Sequence, residues 1–187
     1  MSTVVAYLRE RFPIALFGPV CLLLTTAAAW PAGRVAMSLL PITFLLAAVL
    51  VMQFRLWDDL EDRIRDRHAH PTRVLVNANE EPFRRLLTIL TIAAIVLSAR
   101  ALNAFAATLA LNAAFWCAYR ILRPRISANS WRFGLLLCKY PAFVGVMALS
   151  LGDVDPVRLG LAATATYLCA SGYELLHDSP ARVGGTS

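Results

Sequence analysis

The sequence has little charge and almost no lysine. Charged residues make up 16% of its 187 residues, hydrophobic residues make up 58%, and Lys139 is the only lysine. Soluble domains usually carry about 25% charged and about 45–50% apolar residues. The apolar excess falls in long runs, so the composition argues against a water-soluble domain and indicates a membrane protein.

The sequence also has no clustered cysteines and no nucleic-acid-binding pattern. Its four cysteines lie singly inside apolar runs, without a CxxC or a Cys/His pair at metal-ligand spacing. This excludes the usual zinc and disulfide frameworks. The formal charge of +6 comes from arginine, but no basic stripe is interleaved with exposed aromatics. The positive charge therefore indicates membrane orientation, and we expect no nucleic-acid partner.

Six apolar runs predict the fold class, an all-α membrane protein with a bundle of about six transmembrane helices. About twenty apolar residues cross a bilayer core of roughly 30 Å, and continuous runs favour helices over a membrane barrel. The connections are short, so residues 1–187 form one predicted membrane domain. Residues 1–12 are expected to be an interfacial helix, 57–82 a cytoplasmic loop rich in Asp and Arg, and 177–187 a flexible tail. The runs are Pro13–Trp30, Val35–Leu56, Phe83–Ala99, Leu102–Tyr119, Phe133–Leu151 and Val157–Leu176.

The arginines predict the orientation of this bundle. With a cytoplasmic N-terminus, only Arg34, Arg100 and Arg158 fall in the outer turns, and all other arginines lie in cytoplasmic segments. Such an asymmetry is a strong positive-inside signal. We therefore expect an integral membrane protein, of the bacterial inner membrane, with both termini in the cytoplasm.

The segment from Asp58 to Arg73 carries the main candidate site. If the second helix continues through it, Asp59, Asp62 and Asp66 share one helical face at i, i+3 and i+7. Adjacent carboxylates repel one another unless a cation lies between them, and Mg2+ prefers such oxygen ligands, often shared with phosphates. Candidate partners for the phosphate oxygens are Arg63, Arg67 and Arg73. A solvated helix end with alternating charges explains the same spacing equally well.

A known family shares this pattern. The sequence D-D-x-x-D-x-x-x-D, which begins at Asp58 after the second apolar run, resembles the first aspartate-rich motif of the UbiA superfamily of intramembrane prenyltransferases. That motif is usually N-D-x-x-D-x-x-x-D, so Asp58 stands where the usual Asn is found. Pro71 and Arg73 follow the motif, as Pro and Arg commonly do in the family.

The resemblance implies a metal site and a reaction. Mg2+ would be the cofactor, with Asp59, Asp62 and Asp66 as the catalytic carboxylates that hold it on an isoprenyl diphosphate. The family's second motif is only partly present after the sixth run, where Glu174 and Asp178 are the acidic residues. The implied metal ligands are thus Asp58, Asp59, Asp62, Asp66, Glu174 and Asp178.

Lys139 is a further candidate, because a lysine inside a membrane helix is costly and is often functional. It could reach toward the diphosphate, with Tyr140 beside it. The alternative is that its ammonium extends to the cytoplasmic interface.

Two functions follow from these residues and the resemblance. One is Mg2+-dependent transfer of an isoprenyl group from its diphosphate to a lipophilic acceptor. The other is a non-catalytic UbiA-like membrane module that binds lipids or ions, acts as a small transporter, or completes its cavity as a complex subunit or homo-oligomer. UbiA members generally have nine helices and this chain predicts six, which motivates the second function.

Overall fold

A computed structural model describes residues 3–33, 37–123 and 131–177, and these residues contain helices and turns but no strand. A short 3-10 turn, Met37–Leu39, leads into the third helix. Two π-helical turns, Ala118–Leu122 and Arg132–Leu136, come before and after residues 124–130, which the structure does not describe. The helices are α1 (Thr3–Arg11), α2 (Ile14–Ala29), α3 (Leu40–Ala69), α4 (Val74–Asn77), α5 (Glu81–Ser98), α6 (Leu102–Cys117), α7 (Lys139–Leu151) and α8 (Pro156–His177).

Helices occupy all six predicted apolar runs, but fewer of them qualify as membrane spans. Met37–Ala69, Leu102–Leu122 and Phe133–Leu151 are long and apolar enough to cross a membrane. A fourth span results if α1 and α2, bent by 66° relative to each other, count as one. The structure therefore supports an all-helical protein with three or four candidate spans among its described residues. Helix α5 is not among them, because its first turn is charged.

Proline and glycine set several of the helix boundaries. Pro13 lies at the bend between α1 and α2, and Pro156 is the first residue of α8. Proline fits the start of a helix because the first amide groups have no intrahelical acceptor. Gly152 has φ 135° just after α7, a conformation that other residues rarely adopt.

Helix α3 lies at the centre of the bundle. Phe54 on this helix is fully buried, with ring centroids 5.8 Å from Trp57, 5.0 Å from Phe115 and 5.1 Å from Phe143. These contacts join α3 to α6 and α7. The preceding residue, Gln53, donates a hydrogen bond from its Nε2 to Asn112 Oδ1 of α6 at 2.6 Å.

The segment predicted as a loop at 57–82 is helical in its first half, since α3 continues to Ala69. This extension packs against the protein. Asp59 is buried and Leu60 contacts the hydrophobic core. The helical spacing of the aspartates, assumed from the sequence, is therefore present in the structure, and it places the candidate site on a rigid element.

Candidate functional site

The aspartates of α3 each face a different part of the chain. The buried Asp59 accepts two hydrogen bonds from Arg11 of α1, from Nε to Oδ2 at 2.8 Å and from Nη2 to Oδ1 at 2.5 Å. The hydroxyl of Tyr7, which is 1% exposed, also donates to Oδ2 at 2.8 Å. Both oxygens of Asp59 are thus bound by the N-terminal helix.

Asp58 faces a different side of α3. It forms an ion pair with Lys139 of α7 and accepts a hydrogen bond from the hydroxyl of Tyr119. The Lys139 residue is only 5% exposed, so its ammonium is directed at Asp58 rather than at the membrane surface. A buried charge is tolerated where it is paired and hydrogen-bonded. The sequence predicted a functional lysine here, and the structure gives it a carboxylate partner.

Asp62 and Asp66 have arginine partners of their own. Arg123, which follows α6, donates to Asp62 and lies over the rings of Tyr119 and Trp131, at 5.7 Å and 5.9 Å from the ring centroids. Arg73, predicted to bind phosphate, instead forms an ion pair with Asp66.

Arg63 also binds within the protein. Its guanidinium donates to the carbonyl oxygens of Leu75, Val76 and Ala78, at 3.0, 3.3 and 2.5 Å, and its Nη1 lies 2.8 Å from Glu80 Oε1. Hydrogen bonds from Arg63 and Arg84 hold the pKa of Glu80 below its ordinary value. Arg63 therefore fixes the segment around α4 against α3.

We expect Arg63→Met to loosen this segment. Hydrogen bonds to charged groups contribute about 1.5–3 kcal/mol each, so amide hydrogen exchange around 74–80 should accelerate about tenfold or more. Mass-spectrometric exchange in detergent measures this. Arg84→Met is the matched control, because Arg84 binds the same Glu80 from an exposed position and should change exchange little. Equal acceleration in both variants would contradict the role given to Arg63.

The carboxylates as arranged do not fit a shared Mg2+. A metal site needs several oxygens converging on one point, whereas these aspartates are directed at separate cations. In residues 3–33, 37–123 and 131–177, no group of three or more His, Cys, Asp or Glu side chains could hold a metal ion. Glu174 lines a cavity elsewhere in the bundle, and Asp178 lies outside the described residues.

A cavity of about 410 Å³ lies between α2, α3, α7 and α8. Most of its wall is apolar, and it includes Phe17, Val20 and Leu24 of α2. One end is polar. The residues that line this end are Arg11, Arg55, Tyr140, Tyr173 and Glu174. We call this space the arginine-lined cavity.

Arg11 connects this cavity to the aspartates, because it lines the wall and also binds Asp59. Arg55 is exposed, and among the described residues it has no hydrogen-bond or ion-pair partner. Leu16 and Leu23 of the wall are 53% and 56% exposed, so the cavity opens at the outer surface of the bundle. An apolar space with a cationic end matches a molecule that has an apolar tail and an anionic head.

The structure does not bring the residues predicted to bind phosphate together in one place. Arg67 is exposed at the end of α3, and Tyr140 lines the cavity. Neither Arg11 nor Arg55 was predicted as a site residue from the sequence. Arg55 could have been found by its position, three and four residues before the first two aspartates and at the end of an apolar run.

Comparisons with known proteins add no assignment, since no family, curated protein or solved structure matches the chain. Among its described residues, the structure defines an all-helical protein with candidate membrane spans, a partly buried acidic segment on α3, and an apolar cavity whose polar end contains Arg11, Arg55 and Glu174.

Proposed function

We propose that the chain is a UbiA-like six-helix membrane module that binds an amphiphile with an anionic head and an apolar tail. The single observation that carries this proposal is the arginine-lined cavity, in which Arg55 has no hydrogen-bond or ion-pair partner from residues 3–33, 37–123 and 131–177. An isoprenyl diphosphate, the substrate class that the sequence resemblance implies, has this chemistry. The volume of about 410 Å³ lies within the range of about 300–1,000 Å³ typical of ligand pockets.

The two ends of the cavity serve different parts of the ligand. The guanidinium of Arg55 offers a planar set of donors that matches phosphate oxygens, whereas the charge of Arg11 is balanced by Asp59. The apolar wall from Phe17 to Leu24 receives the tail. With both termini cytoplasmic, as the arginine distribution indicates, the head lies at the cytoplasmic leaflet and the tail enters from the bilayer through the exposed side of α2.

Binding of farnesyl diphosphate in EDTA tests this proposal. We expect the purified protein in detergent to bind it without a divalent cation, and Arg55→Gln to weaken binding about tenfold or more, since a charge-assisted hydrogen bond is worth about 1.5–3 kcal/mol. Arg65→Gln is the matched control, because Arg65 is exposed on the same helix outside the cavity. Failure to bind, or equal loss in the two variants, would reject the site.

Mg2+-dependent prenyl transfer is the second candidate function. One observation favours it: Asp59, Asp62 and Asp66 lie on one helix, and Arg11 both binds Asp59 and lines the cavity. This function requires Arg11 and Arg123 to give up their carboxylates to the metal. The apolar wall of the cavity would keep water from the reacting carbon.

Pyrophosphate release distinguishes the two functions. The protein would be incubated with isoprenyl diphosphates of several chain lengths and a lipophilic acceptor, with Mg2+ or with EDTA. Release that requires Mg2+ and is abolished by Asp62→Asn would establish transfer. Binding without release at every chain length would leave amphiphile binding as the function.

A further inference from the structure

Each of the four aspartates of α3 pairs with a cation from a different segment, and one of these cations, Arg123, also lies 3.8 Å from Glu61. Each partner lies in a different part of the chain, and three of the four segments are far from α3 in sequence. The pairs are Asp58 with Lys139, Asp59 with Arg11, Asp62 with Arg123 and Asp66 with Arg73. We call these eight residues the aspartate network.

The network leaves little room for a metal ion. Arg11 and Tyr7 together place three hydrogen bonds on the two oxygens of Asp59, and Tyr119 shares Asp58 with Lys139. Mg2+ demands near-octahedral geometry with oxygens about 2.1 Å away. It would first have to displace cations that already neutralise these carboxylates, and the four pairs balance in charge.

We propose that the aspartate network is a metal-free clamp, in which each aspartate is neutralised by a cation from another segment and no divalent ion is needed. The clamp joins α1, α4, α7 and the π turn after α6 to the end of α3. Helix α1 depends on it most, because α1 is bent by 66° from α2 and is joined to α3 by Arg11 and Tyr7.

This inference is independent of amphiphile binding and opposes metal-dependent transfer. Its direct test is Mn2+ binding to the purified protein, followed by electron paramagnetic resonance, with thermal unfolding in EDTA and in excess Mg2+. We expect no Mn2+ bound at stoichiometric concentration and the same Tm in both solutions. Stoichiometric Mn2+ binding together with a Tm raised by Mg2+ would overturn the proposal.

A double variant tests the clamp by removing two of its cations. Arg11→Gln with Arg123→Gln frees Asp59 and Asp62, so we expect a Tm several degrees lower in EDTA and partial recovery with Mg2+, which the native protein lacks. The matched control is Arg65→Gln with Arg67→Gln, which removes two exposed arginines of α3. A double variant that unfolds at the control's Tm would contradict the clamp. If the double variant does not fold, Mn2+ binding to the native protein still tests whether the aspartate network holds a metal ion.

Discussion

Replacing Lys139 with methionine is expected to lower the free energy of unfolding by about 3–5 kcal/mol, the usual cost of removing one partner from a buried ion pair. The side chains of Lys139 and Asp58 are 6% and 13% exposed. Without the ammonium, Asp58 keeps the hydroxyl of Tyr119 as a hydrogen-bond donor but no neutralising charge. The contact between α3 and α7 should therefore weaken.

The double variant Asp58→Asn with Lys139→Met should recover most of this loss. Replacing a buried pair by neutral groups of similar volume is often tolerated, whereas an isolated charge is not. Unfolding in detergent, followed by circular dichroism, measures all three proteins under one condition. If Lys139→Met alone were as stable as the native protein, the ion pair would not contribute to the bundle.

Phe54→Ala is expected to destabilise the protein by about 3–5 kcal/mol as well, through a different cause. Phe54 is fully buried, and its ring contacts residues of α6 and α7. Truncation leaves a cavity and removes many dispersion contacts, which makes Phe→Ala one of the costliest core substitutions. The same unfolding experiment measures the difference in free energy of unfolding between Phe54→Ala and the native protein.

Phe44→Ala provides the matched control for Phe54→Ala. Phe44 lies on the same helix but is 38% exposed, on the outer surface of the bundle. Truncation there leaves a gap that detergent or lipid can fill, so we expect a much smaller loss. Equal losses at the two positions would contradict the central position of α3.

The sequence predicted the helical content well, because continuous apolar runs leave few alternatives to helices. It was less reliable on how many of these helices can span a membrane. Phe83–Ala99 was predicted as a span although it contains Arg84 and Arg85, and the helix also includes Glu81, so its 18 residues carry three charges. The apolar pattern does not determine the boundary of a helix, and this boundary affects whether the segment qualifies as a membrane span.

The candidate site was predicted in part. Helical spacing placed Asp59, Asp62 and Asp66 on one face, and α3 does continue through them. Their partners could not be predicted, because Arg11 and Arg123 lie 48 and 61 residues away in sequence from Asp59 and Asp62. Tertiary packing alone brings them together.

The same limit applies to the cavity. Its wall combines α2, α3, α7 and α8, and no local pattern indicates that these four helices enclose a space. In the sequence, Arg55 stands out only by its helical spacing from Asp58 and Asp59, which indicates nothing about the cavity. Only the folded structure shows that Arg63 and Arg73 bind other groups of the protein, whereas Arg55 lines the cavity.

Photo-crosslinking tests the central claim most directly. A farnesyl diphosphate analogue with a diazirine at the end of its tail would be bound in EDTA, irradiated, and located by mass spectrometry. The arginine-lined cavity predicts labels on α2 and α8 away from its polar end, at residues such as Leu23 and Thr166, and their loss in Arg55→Gln. Labels confined to outward residues of α5, such as Ile89 and Ile92, would contradict the account.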